Sequence, residues 1–188
     1  MLRMQSLSTL TLCGMLAAAT PLCLGQQAGT QPSRSAMRAN QQAADLMNTI
    51  NKSEISTAKM MADRTQNAQV KDFAQMLGND HQAAQTKLES AANASNIRLH
   101  EGAMMLRQDR ATEKHLKALA PAAADRAFAA SQVREHEHAI QRLEKLEPQV
   151  TDPQLKTEVR DYIPTLRKHL AEAKKLEAEL HKPKGPGQ

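Results

Sequence analysis

Apolar residues recur at alternating intervals of three and four along this chain, and this period limits what the protein can fold into. In the segment 41–65 the repeating positions are Ala43, Met47, Ile50, Glu54, Thr57 and Met61. Such spacing puts the residues on one face of an α-helix, and an apolar face of this kind is buried against other helices. The sequence therefore predicts an all-α protein.

The same period continues in three further segments, which we predict as helices over residues 68–94, 121–148 and 152–181. Pro121 suits the first turn of one helix, and Asp152 is a favourable cap for the next. Strong helix formers dominate the composition, whereas the chain contains no Trp, one Tyr and two Phe. These features all favour helices over strands.

The lengths of the connections indicate how the helices are arranged. Only a few residues separate the first helix from the second and the third from the fourth, so each pair should form an antiparallel hairpin. Residues 95–120 can cross the length of the molecule and contain a predicted short helix at 112–119. Two hairpins joined by a long crossover predict a ferritin-like four-helix bundle over residues 40–181, capped at Asn40, with a simple up-down bundle as the alternative.

The first 25 residues have the layout of a signal peptide. Arg3 precedes a mostly apolar run over residues 7–24, and Gly25 supplies a small residue for cleavage. We therefore expect a protein that is exported to the periplasm or secreted, without a transmembrane segment once the signal is removed. Cleavage after Ala19 and retention as an uncleaved anchor are the alternatives. A lipoprotein attached at Cys23 is less favoured, because Cys23 follows Leu22 and not a small residue.

Cleavage at Gly25 has consequences for the rest of the chain. It removes Cys13 and Cys23, so disulfides and cysteine-bound metals are excluded from the mature protein. The segment 26–39 is polar and contains Gly and Pro, which predicts a flexible leader, and residues 182–188 are expected to form a disordered tail.

The charge pattern does not indicate a nucleic-acid partner. The formal net charge is +5, but basic side chains alternate with acidic ones at spacings typical of solvated helices. A basic stripe with aromatic neighbours, which nucleic-acid binding would require, is missing from the sequence. Likewise we identify no nucleophile paired with a base and no phosphate-binding loop, so the sequence leaves open whether the protein is an enzyme.

Each predicted helix has one strongly polar residue near the middle of its apolar stripe. Buried polar groups need partners, so four such residues in four neighbouring helices are expected to meet inside the protein. They are Glu54, His81, His136 and His169.

Four short blocks also carry a resemblance to a known family. They are "SEI" at 53–55, "NDH" at 79–81, "VREHEHAI" at 133–140 and "YIPTLRKHL" at 162–170. In order and spacing the chain resembles, over residues 41–180, a group of exported bacterial proteins catalogued as domain of unknown function 4142. The resemblance implies a ferritin-like fold and recurrent polar positions at the same four residues, but no activity.

A metal site is the hypothesis that follows from these residues. One carboxylate and three imidazoles would suit a single zinc, iron or copper ion bound by Glu54, His81, His136 and His169. A di-iron site is not expected, because Gly78 and Leu166 stand where its Glu-x-x-His motifs require glutamate.

Other interpretations of the four residues remain open. They could form a buried hydrogen-bonded layer that fixes helix register, or a pH switch, in a structural or stress-protective module that binds other proteins. Glu135 and His138 have the Glu-x-x-His spacing, but they flank the apolar stripe and are expected to face water. Protein partners and oligomeric state cannot be read from the sequence.

Overall fold

The computed structural model describes residues 33–182, and all regular secondary structure in this range is helical. A 3₁₀ turn at Glu147–Gln149 precedes the last of five α-helices. The α-helices are α1 Arg34–Arg64, α2 Ala68–Ala94, α3 Ala103–Ala118, α4 Pro121–Leu146 and α5 Pro153–Leu180. The all-α prediction is confirmed. The predicted signal peptide and nearly all of the predicted tail lie outside the described residues.

The four long helices surround a common core. α1 packs against α2, α4 packs against α5, and the two pairs meet through contacts of α2 with α5 and of α1 with α4. The helix α3 lies in the connection between the pairs and contacts α1 and α4. None of the helices in the range 33–182 is both long enough and apolar enough to span a membrane.

The apolar core consists of two clusters. One is built around Met47, Leu143 and Leu155, and the other around Met61 and Phe128. On each long helix the polar residue of the predicted stripe stands between the part that enters the first cluster and the part that enters the second. The polar residues therefore form a layer that divides the core.

The first helix begins earlier than the sequence indicated. α1 starts at Arg34, within the predicted leader, and its cap is Ser33, whose side chain accepts a hydrogen bond from the backbone N–H of Ala36 at 3.2 Å. Asn40 is a buried residue inside α1. Its side-chain oxygen accepts from the backbone N–H of Thr151 at 2.9 Å, so this asparagine ties α1 to the connection before α5 instead of capping its own helix.

The crossover helix is also longer than predicted, with 16 residues in α3. Contacts with α1 support both of its ends. The backbone N–H of Gly102 donates to the Thr49 hydroxyl at 2.9 Å, and Arg64 donates to the carbonyl oxygens of Leu116 and Lys117 at the other end. These partners are far away in sequence, so local patterns could not predict the length.

Candidate metal centre

Three of the four predicted residues converge in the polar layer. His81 of α2, His136 of α4 and His169 of α5 are each at most 1 % exposed. One ring nitrogen from each lies within 4.8 Å of the other two, and the ring centroids are 5.1 to 5.8 Å apart. These three nitrogens could hold a metal ion.

The outer nitrogen of His169 is hydrogen-bonded to a carboxylate. Its Nε2 lies 3.0 Å from Oδ2 of Asp80, and a carboxylate can only accept, so Nε2 carries the proton. Partial burial alone would raise the pKa of Asp80, but the contacts with His169 and Lys168 lower it below its usual value. Asp80 is therefore an ionised acceptor, and Nδ1 of the neutral His169 ring faces inward with a lone pair.

A backbone carbonyl holds His136 in the same way. Its Nδ1 lies 3.0 Å from the carbonyl oxygen of Gln132, one turn earlier in α4, and donates to it. In the neutral ring the inner nitrogen, Nε2, therefore carries a lone pair, as Nδ1 of His169 does. It lies 3.3 Å from Nδ1 of His169.

The ring of His81 is oriented by a chain of amides. Its Nδ1 donates to Oδ1 of Asn51 at 3.0 Å, and this oxygen also accepts from the hydroxyl of Tyr162 at 2.6 Å. The Asn51 amide cannot be reversed without loss, because its Nδ2 donates to Gln85, whose own Nε2 donates to Asn48. His81 Nε2 faces inward, is buried and has no hydrogen-bond partner among the described residues.

All three rings thus keep one nitrogen without a proton, and one nitrogen of each ring lies within 4.8 Å of the other two. Burial lowers the pKa of each histidine, well below its usual value for His81 and to about 3 for His136, so the rings are neutral at pH 7. Neutral imidazole is the form that binds metals. The 3.3 Å between the inner nitrogens of His136 and His169 matches the separation of about 3.3 Å expected in a tetrahedral site with Zn–N near ~2.0 Å.

Glu54, the fourth predicted ligand, is buried. Its carboxylate oxygens do not lie within 4.8 Å of all three histidine nitrogens, so it is not part of the cluster. Its carboxylate lines an adjacent cavity of about 290 Å³ together with Asp109, Glu135 and His136. Burial, and then the neighbouring Glu135, raise the pKa of Glu54 well above its usual value. The structure therefore places Glu54 among carboxylates, next to the three histidines.

The prediction that Glu135 faces water is wrong. Its side chain lines the cavity, and burial raises its pKa to about 7. The helix α3 packs against α4 and places Asp109 close to Glu135, and it widens the buried face of α4 beyond the apolar stripe. His138 is exposed, as expected for a residue that flanks the stripe.

Sequence patterns alone missed the residues that orient the histidines. Asp80 directly precedes His81, and Asn48 and Asn51 repeat the spacing of three that leads to Glu54, so a row of polar residues on α1 could have indicated them. The hydrogen bond from His136 to the backbone carbonyl of Gln132 could not be predicted, because every residue type has this carbonyl. Asp109 lies in the crossover, where no pattern connects it to Glu54.

Comparisons with known proteins identify a family for this chain. Neither a curated protein nor a solved structure matches the chain. A family model described as "Domain of unknown function (DUF4142)" matches residues 25–176, which is most of the chain. The protein therefore belongs to the DUF4142 family.

Proposed function

We propose that this protein is an exported, ferritin-like four-helix bundle that binds one zinc, iron or copper ion through His81, His136 and His169. One observation carries the proposal. Each histidine donates its outer N–H to a fixed oxygen, which leaves a lone pair on its other nitrogen, and one nitrogen of each ring lies within 4.8 Å of the other two. Histidines that bind metals are held in this way by carboxylates and backbone carbonyls.

The hydrogen bonds favour a metal over a layer of polar residues that satisfy one another. In such a layer every inner nitrogen would face a donor, whereas His136 Nε2 and His169 Nδ1 face each other as two acceptors. An unpaired buried polar group costs about 1–3 kcal/mol. Protonating one ring would supply a donor, but burial lowers the pKa of all three rings and opposes this.

The donor set supports a borderline transition metal. Three neutral imidazoles suit zinc, iron and copper, and three protein ligands leave a fourth position for water or another small ligand. A di-iron site remains disfavoured, because Gly78 and Leu166 supply no carboxylates one turn before His81 and His169.

The architecture and the N-terminus support the remaining parts of the proposal. Two pairs of long helices joined by a crossover that carries α3 have the order of elements found in ferritin-like proteins. Export is proposed from Arg3 and the apolar residues 7–24.

A structural role for part of the polar layer has its own support. The chain from His81 through Asn51 and Gln85 to Asn48 links α1 with α2, and Tyr162 joins it from α5. Hydrogen bonds of this kind fix the register of packed helices. This role is compatible with a metal, because the chain uses only the outer nitrogen of His81.

The test is elemental analysis of the untagged protein purified from its native compartment. We expect about one zinc, iron or copper ion per chain. His136→Ala should lose the metal, whereas His138→Ala, a control on the exposed side of the same helix, should keep it. Circular dichroism verifies that both variants remain helical. A metal-free wild-type protein that also fails to bind added Zn²⁺, Co²⁺ or Cu²⁺ would refute the proposal.

A further inference from the structure

The cavity beside the histidines has the character of a second, separate site. It lies between α1, α3 and α4, and each of these helices contributes one carboxylate to its wall: Glu54, Asp109 and Glu135. The oxygen-bearing side chains of Ser53, Gln108 and Gln141 also line it. Two histidines line it as well, His136 of the cluster and the exposed His138.

Unpartnered polar atoms are concentrated around this cavity. Within residues 33–182, five buried side-chain atoms have no hydrogen-bond partner within 3.5 Å, and one of them is His81 Nε2. The other four are Oε2 of Glu54, Oδ2 of Asp109 and both amide atoms of Gln132, which lies beside Glu54. Glu54 is only 4 % exposed. Because native proteins leave few such atoms, their concentration indicates that this cavity is built to bind a partner.

The charges in the cavity indicate that the partner is a cation. Glu54 and Glu135 are close enough to interact, and Asp109 acts on both of them. Among the residues that line the cavity, the only Lys or Arg is Arg142, and its Nη1 donates to the sulfur of Met105 at 3.0 Å. Arg134 also acts on Glu135, but it does not line the cavity. Three ionised carboxylates would therefore exceed the positive charge of these two arginines unless a cation enters.

We propose that this cavity binds a hydrated divalent cation of the Mg²⁺ or Mn²⁺ type, with Glu54 and Glu135 as direct ligands and Asp109 bound through water. Carboxylate and amide oxygens suit these hard cations, which usually keep several of their waters. The three carboxylates do not form a group within 4.8 Å, so one ion cannot contact all of them directly. The volume of about 290 Å³ leaves room for bound waters at ~30 Å³ each.

Mn²⁺ is the probe, because free Mn²⁺ gives an electron paramagnetic resonance signal that is lost on binding. The protein is first treated with Zn²⁺ to occupy the histidines and then titrated with Mn²⁺. We expect one bound Mn²⁺ per chain, displaced by excess Mg²⁺. Glu54→Gln and Asp109→Asn should each weaken binding by at least about tenfold. Asp63→Asn, at the exposed end of α1, should leave it unchanged.

One variant separates the failure of this inference from the failure of the proposed function. In His169→Ala the histidine centre is broken, and Mn²⁺ should still bind. Circular dichroism confirms the fold of each variant, and Asp109→Asn, which is only half-buried, carries the least risk of misfolding. The inference is overturned if millimolar Mn²⁺ stays free, if Mn²⁺ binds Asp109→Asn and Glu54→Gln as it binds wild type, or if binding is lost in His169→Ala.

Discussion

The histidine centre and the carboxylate cavity are neighbours that respond to the same burial in opposite ways. Burial lowers the pKa of His81 and His136 and raises the pKa of Glu54 and Glu135. In both regions the charged form of the side chain is the one that burial disfavours. Burial thereby keeps the histidines neutral, with one N–H and one lone pair on each ring, whereas it favours the protonated form of the glutamates.

The two regions also differ in how firmly their ligands are held. Each histidine has a fixed outer hydrogen bond, to Asp80, to Asn51 or to the carbonyl of Gln132. Glu54 has an unpartnered oxygen in the described part of the chain, and so does Asp109. Preorganised ligands favour one metal geometry, whereas carboxylates without fixed partners can adapt to a hydrated ion.

Asp80→Asn gives the largest effect expected of the three variants that test this comparison. The neutral amide weakens the hydrogen bond that orients His169, so affinity for Zn²⁺ or Co²⁺ should fall by about 10- to 100-fold. Isothermal titration of metal-free protein measures it. Asp72→Asn, on the exposed face of the same helix, is the control. Unchanged Zn²⁺ affinity, or equal weakening of Mn²⁺ binding, would contradict a distinct nitrogen site.

A second effect, on folding stability and not on metal affinity, is expected from Glu135→Gln in the metal-free protein. Glu135 has a raised pKa of about 7 in the folded state, so its contribution to stability is complete below its unfolded pKa and is lost as the pH rises through 7. Relative to the variant, wild type should therefore lose on the order of 2 kcal/mol between pH 5 and 8. Glu54 and Asp109 face Glu135 in both proteins, while Arg134 lowers its pKa.

Urea unfolding of the chelator-treated proteins at several pH values measures this difference. The histidines act in the other direction, because their depressed pKa values make stability fall as the pH drops below about 6.5. They are present in both proteins, so their contribution cancels in the comparison. A difference between wild type and Glu135→Gln that stays constant from pH 5 to 8 would show that Glu135 is not buried as described.

Gly78→Ala should have the smallest effect and should touch neither region. A Cβ at this position would meet only the Cβ of Ala58, at 3.8 Å, which is an ordinary contact. Since alanine favours helix by up to about 1 kcal/mol over glycine, thermal unfolding should show equal or slightly higher stability. Altered Zn²⁺ or Mn²⁺ binding in this variant would mean that Gly78 serves a site.

Helix periodicity was sufficient for most of the fold. α2 begins and ends where the pattern predicts, α4 begins at Pro121, and α5 begins directly after its predicted cap Asp152. Pro164 does not interrupt α5, which continues through it. Local signals failed at the start of α1, where Ser33 and not Asn40 is the cap, and along α3, whose ends are held by hydrogen bonds to residues of α1 far away in sequence.

The convergence of the three histidines could be predicted because a polar residue in an apolar stripe has to find partners inside the protein. Their tautomers could not, because these depend on the Gln132 carbonyl, on Asp80 and on the orientation of the Asn51 amide. Glu54 belongs to the same layer by its spacing. Its charged neighbours Glu135 and Asp109 could not be predicted, because Asp109 lies in the crossover and Glu135 flanks the apolar stripe.

The spacing of apolar and polar residues by itself determined the helices, their buried faces and the presence of a polar layer, because a period of 3.6 residues assigns each side chain to a face. Only the tertiary structure decided that this layer divides into two regions, the three histidines on one side and the carboxylate cavity on the other. The position of α3 is the physical reason. It places Asp109 near Glu54 and Glu135, and a contact between segments so far apart in sequence leaves no periodic trace.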